Sequence, residues 1–268
     1  MERDDEIDCL ADDCQPYPKT GPLLLNLNLD LEKLKAKLTN ERGQFHAYVV
    51  DTLDIRNGEY CQRGTGPNFQ GGVLTLCTCK HKLRASPNVQ KGTWMAGLSG
   101  TPLTRTFFEN VQSVSESNGL FYLAKVLDYS LSQLEFWKLL GKLFPSEVRQ
   151  SKASNVDTFG DVFPPIELPG ANRITSPYSP ESYSPPVKNH PHFEISKETG
   201  EPRWHKDINY SDPFGRRQKY LVADPTLTFI WSKPHIYRKG SIGRPGGGKG
   251  VWPGGLQQFL GELTSVRL

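Results

Sequence analysis

Six short runs of β-branched, aromatic and aliphatic residues constrain the fold more than any other feature: 45–50, 72–79, 93–98, 120–127, 220–223 and 226–231. Each has the length and composition of a strand. Helical spacing is confined to three places. In 29–38, Leu31, Leu34 and Leu38 recur at helical intervals, with Gly43 as the stop. In 130–144, Leu131, Leu134, Phe136, Trp137, Leu140 and Leu143 form an apolar stripe, Ser130 is the expected N-cap and Pro145 the terminator. A short helix is expected over 256–263. Strands outnumber helices, and the alternating rhythm of a doubly wound sheet is missing. The expected class is α+β, with a small, strongly curved sheet or a small barrel flanked by helices.

The 268 residues suit one core with additions. Residues 1–20 are expected to be an acidic mobile arm, 21–158 the core domain, and 159–202 a Pro-rich surface insert. The segment 203–268 completes the core. The insert holds nine of the 21 prolines, so a long wrap is expected rather than a second core. Residues 54–71 are polar and glycine-rich and are expected to form a loop, as are 84–91.

No apolar run is long enough for a membrane span, and the opening residues lack the order of a signal peptide. The odd count of five cysteines does not suggest a disulfide framework. A reducing cytoplasm without disulfides is the expectation.

Charge is unevenly spread. The first 14 residues carry seven acids and one base, 77–105 carry five Lys/Arg and no acid, and 203–249 carry ten Lys/Arg and three Asp. If the two basic segments meet, they make an anion-facing surface. Within the first, Cys77-Thr78-Cys79-Lys80-His81-Lys82-Leu83-Arg84 is the densest cluster. On a strand, Cys77, Cys79 and His81 would share a face and present zinc-ligand types. No second Cys pair follows, and two buried thiols at a strand end are the preferred reading, so no metal is assigned. Lys80, Lys82 and Arg84 would offer cations to a phosphate. The second cluster is Trp94 with Gly97, Ser99, Gly100 and Thr101. Its glycines admit a ligand to the backbone, its hydroxyls bond, and Trp94 would stack a base or else sit in the core. The third, around His205, Asp207, Asp212, Arg216 and Arg217, has acid–base and phosphate-binding types or is a simple turn. His190 and His192 are expected to be exposed. No Walker loop, Gly-x-Ser-x-Gly or His-Glu-x-x-His occurs, and Gly246-Gly247-Gly248-Lys249 lacks Walker spacing.

The order of these pieces resembles the nucleotide modification associated domain family, especially its type 2 members, bacterial and phage proteins linked to DNA-base modification and defence. The resemblance rests on Leu76-Cys77-Thr78-Cys79-Lys80-His81-Lys82-Leu83-Arg84, Lys91-Gly92-Thr93-Trp94-Met95-Ala96-Gly97, Phe121-Tyr122-Leu123-Ala124-Lys125-Val126 and Tyr220-Leu221-Val222-Ala223-Asp224. Thr93 stands where the family turn has Asp. The Gly-x-Trp strand is also similar to the PUA, ASCH and EVE group, which implies a PUA-like β-barrel with a nucleotide or modified-base pocket.

The resulting expectation is a nucleic-acid- or nucleotide-binding protein, its pocket edged by Cys77, Cys79, Trp94, Gly97, Ser99, Gly100 and Thr101, with Lys80, Lys82 and Arg84 on phosphate. The alternative is an enzyme acting on a nucleotide or nucleobase, with His205, Asp207 and Arg216 catalytic. Any cofactor is left unassigned. A protein partner docking on the acidic arm or the Pro-rich insert is the third expectation.

Overall fold

The computed structural model describes residues 15–16, 26–50, 52–62, 66–107, 117–153, 160–166, 178–185, 192–237 and 255–264. The acidic arm, His190 and the glycine run 246–248 lie almost wholly or wholly outside them. The described strands are β1 Gln15–Pro16, β2 Asn26–Leu27, β3 Phe45–Val49, β4 Leu53–Arg56, β5 Glu59–Gln62, β6 Thr75–Leu76, β7 Trp94–Leu98, β8 Asn118–Ser130, β9 Phe193–Ile195, β10 Pro202–Trp204, β11 Tyr220–Tyr237 and β12 Leu263–Thr264. The helices are α1 Leu31–Lys37, α2 His81–Ala85, α3 Thr101–Phe107, α4 Gln133–Leu143, α5 Ser146–Ala153 and α6 Gly255–Glu262.

The main sheet runs β12-β11-β8-β7-β3, with β2 and β6 also paired to β11. β3 lies parallel to β7, whereas β7–β8 and β8–β11 are antiparallel. This is a mixed, open sheet, so the chain is α+β as expected but the sheet does not close into a barrel. β11 joins the two expected runs 220–223 and 226–231 into one strand. The register with β8 breaks on both sides of Ala223, which lets Pro225 sit in the strand without a missing ladder bond.

Alternation along the strands sorts side chains onto two faces. Phe45, Trp94 and Leu98 pack with Leu31, Leu34, Phe259 and Leu260, on the face covered by α1 and α6. Tyr48, Met95, Phe121 and Tyr122 pack with Tyr60 and Phe69 on the other, the consecutive Phe121 and Tyr122 sharing it because the β7–β8 register shifts between Gly97 and Leu98 and breaks the alternation. A third cluster seats Phe136 and Leu140 of α4 against Val73, Cys77 and Tyr220. α5, unforeseen after Pro145, packs against Gly71, where a positive φ of 72° and a Cβ that would lie 2.9 Å from Val148 Cα exclude a side chain. Its last turn is fixed by Lys152, wholly buried, whose Nζ donates to the Asn68 carbonyl (2.8 Å), Asn68 Oδ1 (2.7 Å) and the Val73 carbonyl (2.5 Å).

Several expectations are corrected. The region 54–71 is not a loop, because β4 and β5 form a hairpin about Asn57 and Gly58, both at positive φ. Such a two-residue turn matches strand twist. The strand expected over 72–79 is reduced to β6. Lys80 takes a left-handed conformation (φ 57°) and starts α2, so Cys77, Cys79 and His81 do not share a strand face. Cys61 in β5 is disulfide-bonded, with its partner outside the described residues, contrary to the expected absence of disulfides. The Pro-rich insert contributes packing. Phe163 and Tyr183 join Ile208, Leu134 and Trp204 in a small cluster, and β9 pairs with β10. No helix among the described residues is long and apolar enough to cross a membrane.

Candidate functional site

The glycine-rich segment after Trp94 serves packing. Trp94 is fully enclosed in the α1/α6 face, with Lys125 Nζ 5.7 Å from its ring, so it presents no face to a ligand. Gly97 is required by its neighbours, since a Cβ there would lie 2.2 Å from Tyr122 Cε1. The Ser99 hydroxyl is buried between Tyr60 OH (2.7 Å) and Thr104 Oγ1 (2.6 Å). The Gly100 carbonyl accepts from Thr104, and Thr101 opens α3. None of these positions, nor either thiol, lines the cleft described below.

The two basic segments do meet, but through a buried Arg84 rather than a shared cationic wall. Arg84 Nε donates to the Cys79 carbonyl (2.8 Å) and Nη1 to the Lys219 carbonyl (2.9 Å). Its Nη2 reaches the carbonyls of Thr78 and Asp207. The planar fork satisfies main chain from both segments at once, so it is spent before any phosphate arrives. Lys80 is half-buried with its Nζ 5.8 Å from the Tyr48 ring, and Lys82 is exposed on α2. Cys77 is buried, and burial, with the Asp161 carboxylate beside it, pushes its thiol well above the ordinary range. Cys79 is partly exposed. No group of three metal-ligating side chains occurs among the described residues.

The proposed catalytic residues are divided. Asp207 Oδ2 lies 2.6 Å from Nδ1 of His192, which is fully buried, correcting its expected exposure. Burial opposes ionisation of Asp207, but the hydrogen bond and charge of His192 outweigh it and hold the carboxyl below its usual range. His205 contributes its backbone, donating to the His192 carbonyl (2.9 Å). Arg216 pairs with Asp212 (2.6 Å) at an exposed turn. His81 rests against the Tyr210 ring (centroids 4.6 Å). Burial, then the charges of Arg84 and Lys82, lower its pKa to about 4.

What these contacts build is a small, open cleft with a free volume of about 20 Å³, room for about one water, between the start of α4 and the stretch 204–220. Tyr178, Trp204 and Tyr210 supply aromatic walls, and Gln133, Gln218 and Arg217 the polar lining. Ser132, not Ser130, caps α4, its Oγ accepting from the Glu135 amide (3.2 Å). This makes Gln133 the first helical residue and turns its side chain inward. Gln133 is 2% exposed, yet neither Oε1 nor Nε2 has a hydrogen-bond partner, and Gln218 Nε2 is likewise unpaired. Gln218 Oε1 is held by Arg84 Nη2 at 3.5 Å. The Arg217 guanidinium lies 4.5 Å from the Tyr178 ring, and Trp204 Nε1 donates to the Tyr178 carbonyl (2.6 Å).

Among the described residues, the cleft lining contains no carboxylate, imidazole or thiol. The lining offers a buried donor–acceptor amide, flat aromatic walls, a guanidinium and a helix N-terminus. Gln133 and Gln218 escaped the sequence reading because a buried amide leaves no periodic trace. The available signal was the Ser132-x-x-Glu135 spacing, which places the cap two residues beyond Ser130. Comparisons with protein-family models, with curated proteins and with solved structures find no match for this chain.

Proposed function

We propose that the chain is a nucleic-acid- or nucleotide-binding protein and that the cleft at Gln133 and Gln218 receives the edge of a base. The observation that carries this reading is the Gln133 amide, buried, facing the cleft and bonded to nothing in the protein. A buried polar group left unmade costs about 1–3 kcal/mol. A nucleobase edge sets a donor beside an acceptor and matches a primary amide with two bonds, as Gln does with adenine. Tyr178 and Trp204 suit the faces of the ring. Arg217 and the α4 N-terminus suit a phosphate. A base modified on that edge changes the same two bonds, which fits the resemblance to proteins linked to DNA-base modification and defence. The enzymatic alternative has less support, because Asp207 is engaged by His192 and Arg216 by Asp212.

Titration of the full chain with nucleoside monophosphates and their methylated forms, followed by calorimetry, tests the reading. Saturable binding is expected, weakened about ten-fold or more in Gln133→Leu. The same variant should be as stable as the native chain or more so, since it removes an unpaired buried amide. Absence of saturable binding by the native chain at millimolar nucleotide sinks the reading.

A cytoplasmic setting belongs to the same proposal, and the disulfide at Cys61 is the observation that weighs against it. A free-thiol count on protein purified without reductant decides the point: a bond retained there speaks against the cytoplasm.

A further inference from the structure

Beyond the cleft, the chain from Ser211 to Arg217 forms a tight turn closed by the Ser211–Arg217 bridge. Asp212 organises it. Its Oδ1 accepts from the amides of Phe214 and Arg216, both at 2.9 Å, and its Oδ2 from Arg216 Nε at 2.6 Å. Gly215, at φ 77°, takes the conformation the turn requires. At the tip, Phe214 is 81% exposed, the largest value for a large apolar side chain among the described residues. The Arg216 guanidinium lies 4.9 Å from its ring. A single exposed ring is ordinary on a protein surface, but on so firmly bonded a turn its orientation is fixed and one face stands ready for a flat partner.

The root of this turn is Arg217, which faces Tyr178 at the cleft. Two aromatic–guanidinium pairs thus follow one another outward: Tyr178 with Arg217, then Phe214 with Arg216. Phe214 and Arg217 are three positions apart, a reach of at most roughly 11 Å. A ring with a guanidinium on one face keeps the other face for a base, and since Arg216 is held by Asp212, Arg217 is the cation offered to a phosphate. The bottom of the cleft adds a restriction. Gln133, at 2% exposure, is reached only by an edge that enters the cleft, and a base paired within a duplex has its pairing edge occupied.

Resting on the base-binding reading above, we infer that the ligand is a single strand of nucleic acid, or a strand with one base extruded, rather than a free nucleotide. One base sets its edge against the cleft and a flanking base stacks on Phe214.

The test compares three ligands by fluorescence polarisation and calorimetry: a mixed-sequence single-stranded oligonucleotide, its duplex, and the nucleoside monophosphate that binds best. The native full chain and its Phe214→Ala and Gln133→Leu variants are used. Phe214 is at the surface, so its variant keeps the fold, which the melting temperature verifies. Phe214→Ala is expected to weaken the oligonucleotide about 5- to 150-fold and to leave the monophosphate unchanged. Gln133→Leu should weaken both. Equal oligonucleotide affinity in Phe214→Ala and the native chain overturns the strand proposal while base binding stands. A duplex bound as tightly as the single strand overturns it too. If neither monophosphate nor oligonucleotide binds, the underlying reading fails with it, and capture of a peptide partner lost in Phe214→Ala would reassign the turn to protein docking.

Discussion

His81 is the residue whose setting has the clearest solution signature. It lies against Tyr210 and beside the cations Arg84 and Lys82, and burial with those charges brings its pKa from 6.5 to about 4. Between these values the unfolded chain binds a proton that the folded one refuses. Stability therefore rises with pH across that window and falls as pH drops from 6.5 towards 4. Urea midpoints measured between pH 7 and pH 4.5 should show this slope, and His81→Phe, which keeps a ring against Tyr210, should flatten it. An unchanged slope in the variant would place the acid sensitivity elsewhere. The sequence marked His81 and Arg84 as residues of interest, and their neighbourhood with 204–220 was legible from charge. Their roles were not. A guanidinium that satisfies four carbonyls and one that awaits a phosphate have the same sequence, and only the chain path around Lys80 distinguishes them.

Among the elements, α1, α4, α6, β3, β7 and β8 were readable because apolar spacing and burial agree in them. Leu31 and Leu34, for example, are buried at the spacing that announced α1. The hairpin of β4 and β5 was missed although Asn57-Gly58 is a strong turn signal. Its polar, weakly alternating strands obscured it. β6 failed in the other direction, since 72–79 has strand composition but Val73 and Cys77 are buried by α4 rather than by a ladder. The start of α4 carries the functional weight, because its cap sets where Gln133 points. Ser132→Ala should lower stability by about 1 kcal/mol and, by fraying the first turn, weaken nucleotide binding more than a surface change of equal energetic cost. Melting temperature and calorimetric affinity, taken together, separate the two effects. Loss of stability with affinity intact would detach the cap from the site.

At the level of the whole molecule, one long strand organises distant parts of the chain. β11 pairs with β8, with β2 and with β12, and through β6 it meets the segment that leads into α2. The cleft lies at the first residues of this strand, where Gln218 and Tyr220 approach α4. Core and site are therefore continuous, and the Pro-rich insert joins them by supplying Tyr178. The closed barrel that the resemblance suggested is not what the strand pairing makes: the sheet is mixed and open.

Lys152 offers a built-in gauge of that continuity. Its amine is sealed from solvent and held by three oxygens, and burial lowers its pKa to about 8. Such an amine would be a ready nucleophile near neutral pH if a reagent could touch it. Amine-directed acylation read by peptide mass spectrometry should mark the surface lysines within minutes and leave this one blank until the entire molecule opens. Its appearance among the labelled peptides would then time global opening, and early labelling would show that α5 detaches on its own.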